Sequence, residues 1–296
     1  MKKRKKRKKQ RWWKLLIIII MLISALSFLS RHLFREDITQ KEINNTFNNT
    51  NLPTPEIKNH KTAYHNIRYI ISGNRDGPRI LFIHGAPGSL KAYLNFFKDS
   101  TLVSKALLIS VDRPGYGGSN EGTVFPSLTE QAQLIHSVLD KEKGGPIILA
   151  GHSLGGPISV KMAIDYPNQI EAMLLMAPSI DPRLESWKWY QRFAISKIGK
   201  LITPQSMYVA AKEIYFLKEQ LIEMQENYSK IKAKTILIQG EKDRLVNMGN
   251  AYFAQEKFPS RSEIKIEFLP KEDHFIPWTQ PKLVLENLNE LIQEVK

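Results

Sequence analysis

The 296-residue chain contains no cysteine. That absence excludes disulfides, a thiolate nucleophile, cysteine-ligated zinc and lipid attachment through cysteine, and it leaves the redox compartment open. Acidic residues are missing where positive charge is densest. The formal charge is +14, but residues 1–14 hold ten Lys or Arg and no acid, so the rest of the chain carries only +4. A near-neutral body offers no electrostatic footprint for a phosphate backbone, and no nucleic-acid partner is expected. There is no internal repeat and no zinc-like cluster of ligands, so no metal is expected. What remains is 42% hydrophobic and 24% charged, within the globular range and of a length that α/β enzymes reach as one domain.

The N-terminus has its own pattern. An unbroken basic run, Lys2 to Lys9, leads through Arg11, Trp12, Trp13 and Lys14 into the apolar stretch Leu15 to Leu29. Some 15 apolar residues make roughly 22 Å of helix against about 30 Å of hydrocarbon. The deficit is met by Leu33 and Phe34, by Trp12 and Trp13 at the headgroup level, and by snorkelling Lys14 and Arg31. Residues 1–14 therefore read as a basic cytoplasmic tail able to hold anionic lipid, and 15–34 as an N-terminal transmembrane helix with the following domain outside. A cleaved signal peptide, with Ala25-Leu26-Ser27 as its cleavage site and a secreted product, is the alternative. Residues 35–61, rich in Asn, Thr, Lys and Pro, read as a polar stalk, and 62–296 as the folded domain.

From residue 62 short Ile/Leu/Val runs alternate with segments of helical period. Strands are expected at 67–71, 80–83, 106–111, 147–150, 172–176, 235–238 and 264–268, and helices at 128–139, 154–165, 251–257 and 282–294. Unalternating apolar strands are buried on both faces, and helices between them make right-handed crossovers. The expected fold is α/β, a doubly wound, mostly parallel sheet. About 50 helix-prone residues, 182–232, interrupt the rhythm and read as a short helical cap insertion.

The strongest chemical signal is Gly151-His152-Ser153-Leu154-Gly155, a G-x-S-x-G placed after a buried strand and before a helix. In that setting the glycines permit a turn too tight for side chains, and Ser153 projects from the end of the sheet above a helix N-terminus. Here the chain resembles the α/β-hydrolase superfamily, in its serine esterase and lipase-like branch, from about residue 62 onward. His84-Gly85-Ala86-Pro87-Gly88 is similar to the family's oxyanion loop, and Asp112-Arg113-Pro114-Gly115-Tyr116-Gly117-Gly118-Ser119 to a loop expected to shape the pocket floor. The resemblance implies Ser153 as nucleophile, Asp243 after a late strand as acid, with Glu241 its local rival, and His274 as base. It implies the Ala86 and Leu154 amides as oxyanion donors. His84 and His152 are expected to be structural. Asp273, where many relatives carry a small residue, is expected either to raise the basicity of His274 or to be solvated.

This chemistry requires no cofactor. A serine at the elbow argues against the carboxylate-dependent dehalogenase and epoxide hydrolase branches. Ester hydrolysis of an apolar, lipid-like substrate is the leading expectation, with Trp187, Trp189, Tyr190, Phe193, Met207, Tyr208, Tyr215 and Phe216 as candidates to line an acyl pocket. A proline iminopeptidase-like peptidase, using Glu185, Glu213, Glu219, Glu223 or Glu226 to hold an amine, remains open. So do a carbon–carbon bond hydrolase and a slow-turnover receptor of the same fold.

Overall fold

A computed structural model describes Trp12, Met21 and residues 37–295, except Ala63 and residues 260–262. Eight strands form one sheet: β1 (Glu56–Lys61), β2 (Asn66–Gly73), β3 (Arg79–Ile83), β4 (Leu107–Val111), β5 (Ile147–His152), β6 (Ile170–Met176), β7 (Lys234–Gly240) and β8 (Lys265–Leu269). Their order is β1-β2-β4-β3-β5-β6-β7-β8. The first two strands run antiparallel to their neighbours, and every pairing from β4 to β8 is parallel.

Alternate residues of the central strands enter two separate cores. Leu81, Ile83, Ile147 and Leu149 face one, and Ile80, Phe82, Ile148 and Ala150 the other. Period-two side chains on strands buried on both faces require this division. The first core takes apolar residues from helices α3 (Leu128–Lys141), α4 (Gly155–Asp165) and α8 (Gly249–Lys257). The second takes them from α1 (Gln40–Phe47), α2 (Ser100–Lys105) and α10 (Pro281–Glu294). Between β6 and β7 lie three helices, α5 (Trp189–Ile195), α6 (Lys197–Ile202) and α7 (Gln205–Gln225), inside the stretch expected as an insertion. A short α9 (Ile276–Thr279) precedes α10.

Within the expected polar stalk of 35–61, α1 and β1 belong to the folded body. Thr39 and Glu42 form a capping box, and Ile43 and Phe47, one turn apart, are buried in the second core. β1 adds to the sheet edge through six residue pairs with β2. The expected anchor at 15–34 and basic tail at 1–14 lie, apart from Trp12 and Met21, outside the described residues. Among the described residues no helix is long and apolar enough to cross a membrane.

Candidate active site

Ser153 stands where β5 turns into α4, with φ at +53°, a left-handed conformation that non-glycine residues seldom hold. The turn is pinned from both sides. Ser153 N–H donates to Met176 O at 2.9 Å, and its carbonyl accepts from Gly156 N–H at 2.9 Å. The motif glycines follow from close approach rather than from φ. A β-carbon at Gly155 would overlap Ile83 O, and one at Gly151 would overlap Ser159 Oγ. Helix α4 can therefore start directly beneath the serine.

β7 and β8 carry the second half of the site. Asp243, in the turn after β7, accepts at Oδ2 from His274 Nδ1 at 2.7 Å, and at Oδ1 from the Leu245 and Val246 amides at 2.8 Å each. Burial opposes ionisation of Asp243, but the hydrogen bond and charge of His274 and the two amides outweigh it, so the carboxyl lies below its ordinary range. Glu241 is exposed on the same turn, and the aspartate holds the histidine. Asp273 is also exposed and accepts the Phe275 amide at 3.0 Å, a local turn bond.

Ser153, Leu154, Ala86 and His274 all line one cavity of about 410 Å³, roofed by the helices between β6 and β7. Of the proposed acyl-pocket residues, Tyr190, Phe193 and Met207 line it. Trp187 instead packs edge-on against Tyr215 at 4.3 Å, and Trp189 is 79% exposed. Ala210, Ile214 and Leu217 complete the roof; their helical spacing on α7 was the signal available for them. A broader, polar groove of about 910 Å³ runs past Gln40, Glu56 and Arg75 at the far edge of the sheet, and no histidine lines it.

The two histidines expected to be structural are buried and bonded. His84 donates from Nδ1 to Gly85 O at 2.7 Å and accepts the Arg113 amide at Nε2 at 2.9 Å, which fixes its neutral tautomer. His152 meets His274 O through Nε2 at 2.9 Å and packs edge-on against Trp278. Burial first, then nearby positive charge, pushes His84 well below its ordinary pKa and His152 down to about 3. Burial lifts Asp112 the other way, to about 6, although it accepts the Leu90 and Gly118 amides at 2.8 Å.

These shifts set an acid limit on stability. Around pH 5 unfolding lets both histidines take up a proton, because their unfolded value is 6.5, whereas Asp112 loses one, its unfolded value being 3.8. Because the two histidines outnumber the one carboxyl, the unfolded chain takes up protons on balance, and stability falls with falling pH from these groups. Chemical denaturation at pH 5 and pH 7 checks the sign.

The loop after β4 departs from its expected role, since none of residues 112–119 lines the cavity. Arg113 instead crosses to the insertion. Its guanidinium meets Glu213 of α7 through two bonds of 2.8 and 3.1 Å, and also donates to Gly85 O at 3.1 Å. Tyr116 hydroxyl and Gln131 donate to the same carboxylate, at 2.6 and 2.8 Å. The arginine and glutamate side chains are 0% and 1% exposed. Sequence reasoning missed this link because the partners lie 100 positions apart.

A family model for the alpha/beta hydrolase fold matches residues 78–197. The chain is 25% identical over 158 residues to the dihydrolipoyllysine-residue acetyltransferase component of the acetoin cleaving system of Pseudomonas putida, covering 53% of this chain and 42% of that protein. The matched stretch thus spans less than half of that relative. Monoacylglycerol lipase ABHD6 of Bos taurus is 23% identical over 261 residues, with 74% of this chain and 76% of that protein covered. The crystal structure of a membrane phospholipase A, described as a bacterial virulence factor, superposes with a TM-score of 0.61 at 16% identity, covering 98% and 99% of the two chains. With its eight-stranded, mostly parallel sheet and a matched segment running from β3 through the serine turn to α5, the chain has the alpha/beta hydrolase fold.

Proposed function

We propose that this protein is a serine hydrolase that cleaves carboxylic esters with apolar, lipid-like acyl groups. The observation that carries the reading is the pairing of Asp243 with His274 at 2.7 Å on the wall of the same apolar cavity into which the strained Ser153 turn opens. In this reaction His274 takes the Ser153 proton as Oγ attacks the ester carbonyl, and Asp243 holds the imidazole tautomer and stabilises the imidazolium. Among the described residues neither the Ala86 nor the Leu154 amide donates to another protein group, which leaves both for the tetrahedral oxyanion. Collapse expels the alcohol, protonated by His274, and water then repeats the sequence on the acyl-enzyme. The chemistry uses no metal or cofactor.

Glu213, a candidate to hold a substrate amine, is engaged by Arg113, and Glu185 is the one acid among the lining residues of the cavity, where it accepts from Ser179. Glu185 keeps the aminopeptidase reading open, but the rest of the lining is mostly apolar, and on that ground ester cleavage is favoured. A fluorophosphonate should label Ser153, and a series of p-nitrophenyl esters should show turnover rising with acyl length until the cavity is filled. Absence of both labelling and turnover rejects the proposal. Asp243→Asn should lower kcat by up to about 10,000-fold, whereas Glu241→Gln should leave it within twofold; steady-state kinetics on the pair decides between the two acids.

Residues 15–34 are proposed as the membrane anchor, with the catalytic domain outside. The support is the order of basic run, tryptophan pair and apolar stretch. The full chain should then stay with membranes through both high-salt and alkaline washing, since salt shortens the Debye length to about 3 Å without extracting an inserted helix. Release by salt alone reduces the segment to an electrostatic tether.

A further inference from the structure

We propose that the outer face of the inserted helices α5 and α6 and the start of α7 docks on a bilayer surface bearing anionic headgroups, with the rim of the Ser153 cavity facing the lipid. The inference concerns the folded domain, and it depends neither on residues 15–34 nor on the reaction at Ser153.

The first observation is apolar exposure. Trp189, Ile198 and Leu201 are 79%, 65% and 61% exposed, high values for side chains of this size. Their helices pack on one another, and the Trp189 ring lies 6.0 Å from that of Tyr190. The second is continuity with the cavity. Tyr190, Phe193 and Met207 line it and yet remain over two-fifths exposed, so they form its rim. An apolar molecule leaving a bilayer at this rim would pass from hydrocarbon to cavity without crossing water.

The third observation is charge, and it selects the occupant. Residues 186–212 contain five cations, Lys188, Arg192, Lys197, Lys200 and Lys212, and no acid. Among the described residues none of them forms an ion pair; the Lys200 ammonium sits over the Tyr208 ring at 5.3 Å. A second copy presenting the same face would bring cations against cations in an isologous contact, which is repulsive. A surface of anionic headgroups is complementary to it. Exposed tryptophan and tyrosine beside long basic side chains is the composition that lies in an interface, rings at headgroup level and cations reaching the phosphates.

The cysteine-free chain allows a direct test in the full-length protein. Cysteine is introduced at Ile198→Cys and, as a control, at Asp76→Cys, an exposed site in the turn between β2 and β3, at the opposite end of the parallel strands from the cavity. Each is labelled with an environment-sensitive fluorophore and reconstituted with phosphatidylcholine vesicles or with equal parts phosphatidylcholine and phosphatidylglycerol. With the mixed vesicles the probe at 198 should shift to the blue and be quenched by nitroxide on the acyl chains, while the probe at 76 stays aqueous. Arg192→Gln with Lys197→Gln, two exposed or half-exposed side chains outside the cavity lining, should weaken the transfer at least tenfold, at about fivefold per cation near an anionic surface. Raising the ionic strength on the unaltered chain should do the same, which covers the case of a misfolded double variant. A probe at 198 that stays aqueous with both vesicle types overturns the proposal. So does immersion that is equal in neutral lipid and insensitive to salt, or a shift that needs no lipid and grows with protein concentration, which would place a second copy on this face.

Discussion

Ser153→Ala should lower kcat for ester hydrolysis by about 10,000-fold or more, leaving only what the oxyanion donors and binding supply. The thermal midpoint should barely move. The side chain is half-buried at the cavity wall and removes little packing, and alanine meets the same steric objection as serine to φ at +53°. Ser153→Gly separates strain from chemistry. It should be equally inactive but stabilised, by up to about 1 kcal/mol, because the left-handed backbone becomes unstrained while the added freedom of the unfolded chain takes back part of the gain. Retention of more than about 1% of kcat in the alanine variant removes Ser153 from the reaction. The effects of Ser153→Ala and His274→Ala should not multiply, because the two groups act as one unit.

Glu213→Ala should destabilise the protein by about 3–5 kcal/mol, since it leaves the guanidinium of Arg113 buried without its counter-charge. Burial works against the charged arginine, and the charges and hydrogen bonds of Glu213 and Tyr116 overcome it. Truncation also strands the Tyr116 hydroxyl and Gln131 amide that share the carboxylate. Glu213→Gln keeps the shape and half of the bonding, and should fall between the two. Replacing both partners at once, Arg113→Met with Glu213→Leu, should recover most of the loss, as it does where buried pairs give way to apolar groups of similar volume. A penalty below about 1 kcal/mol for Glu213→Ala, measured by denaturant unfolding, shows that the pair is not held as described. Because Arg113 also donates to Gly85 O, beside Ala86, the single variant should lose esterase activity at temperatures where it remains folded.

The parallel core was legible because strands buried on both faces leave unbroken apolar runs, as in Ile80 to Ile83 and Ile147 to Ala150. The candidate site residues came from motif and order alone. In the structure Asp243 bonds His274, and His274 and Ser153 line one cavity. β1 was not legible, since an edge strand such as Glu56–Lys61 is held by its ladder and buries almost nothing apolar. α1 did leave a signal, Thr39-x-x-Glu42 followed by Ile43 and Phe47, outweighed by the polar composition around it. The Arg113–Glu213 pair could not be read, because nothing in either local sequence marks a partner 100 positions away.

The sheet order also sets when the protein can begin to work. The serine turn is complete once β3, β5 and β6 have paired, all within the first 176 residues. The histidine that closes the site, bonded through its carbonyl to His152, arrives 122 positions after it. At ribosomal speeds of about 5–20 residues per second, that interval is about 6–24 s. A nascent chain therefore carries the serine turn without His274 over the later part of that interval, from residue 176 onward. On the proposed chemistry, hydrolytic competence should appear only once Asp243 and His274 have been added, so the onset of activity during synthesis should report closure of the C-terminal edge of the sheet.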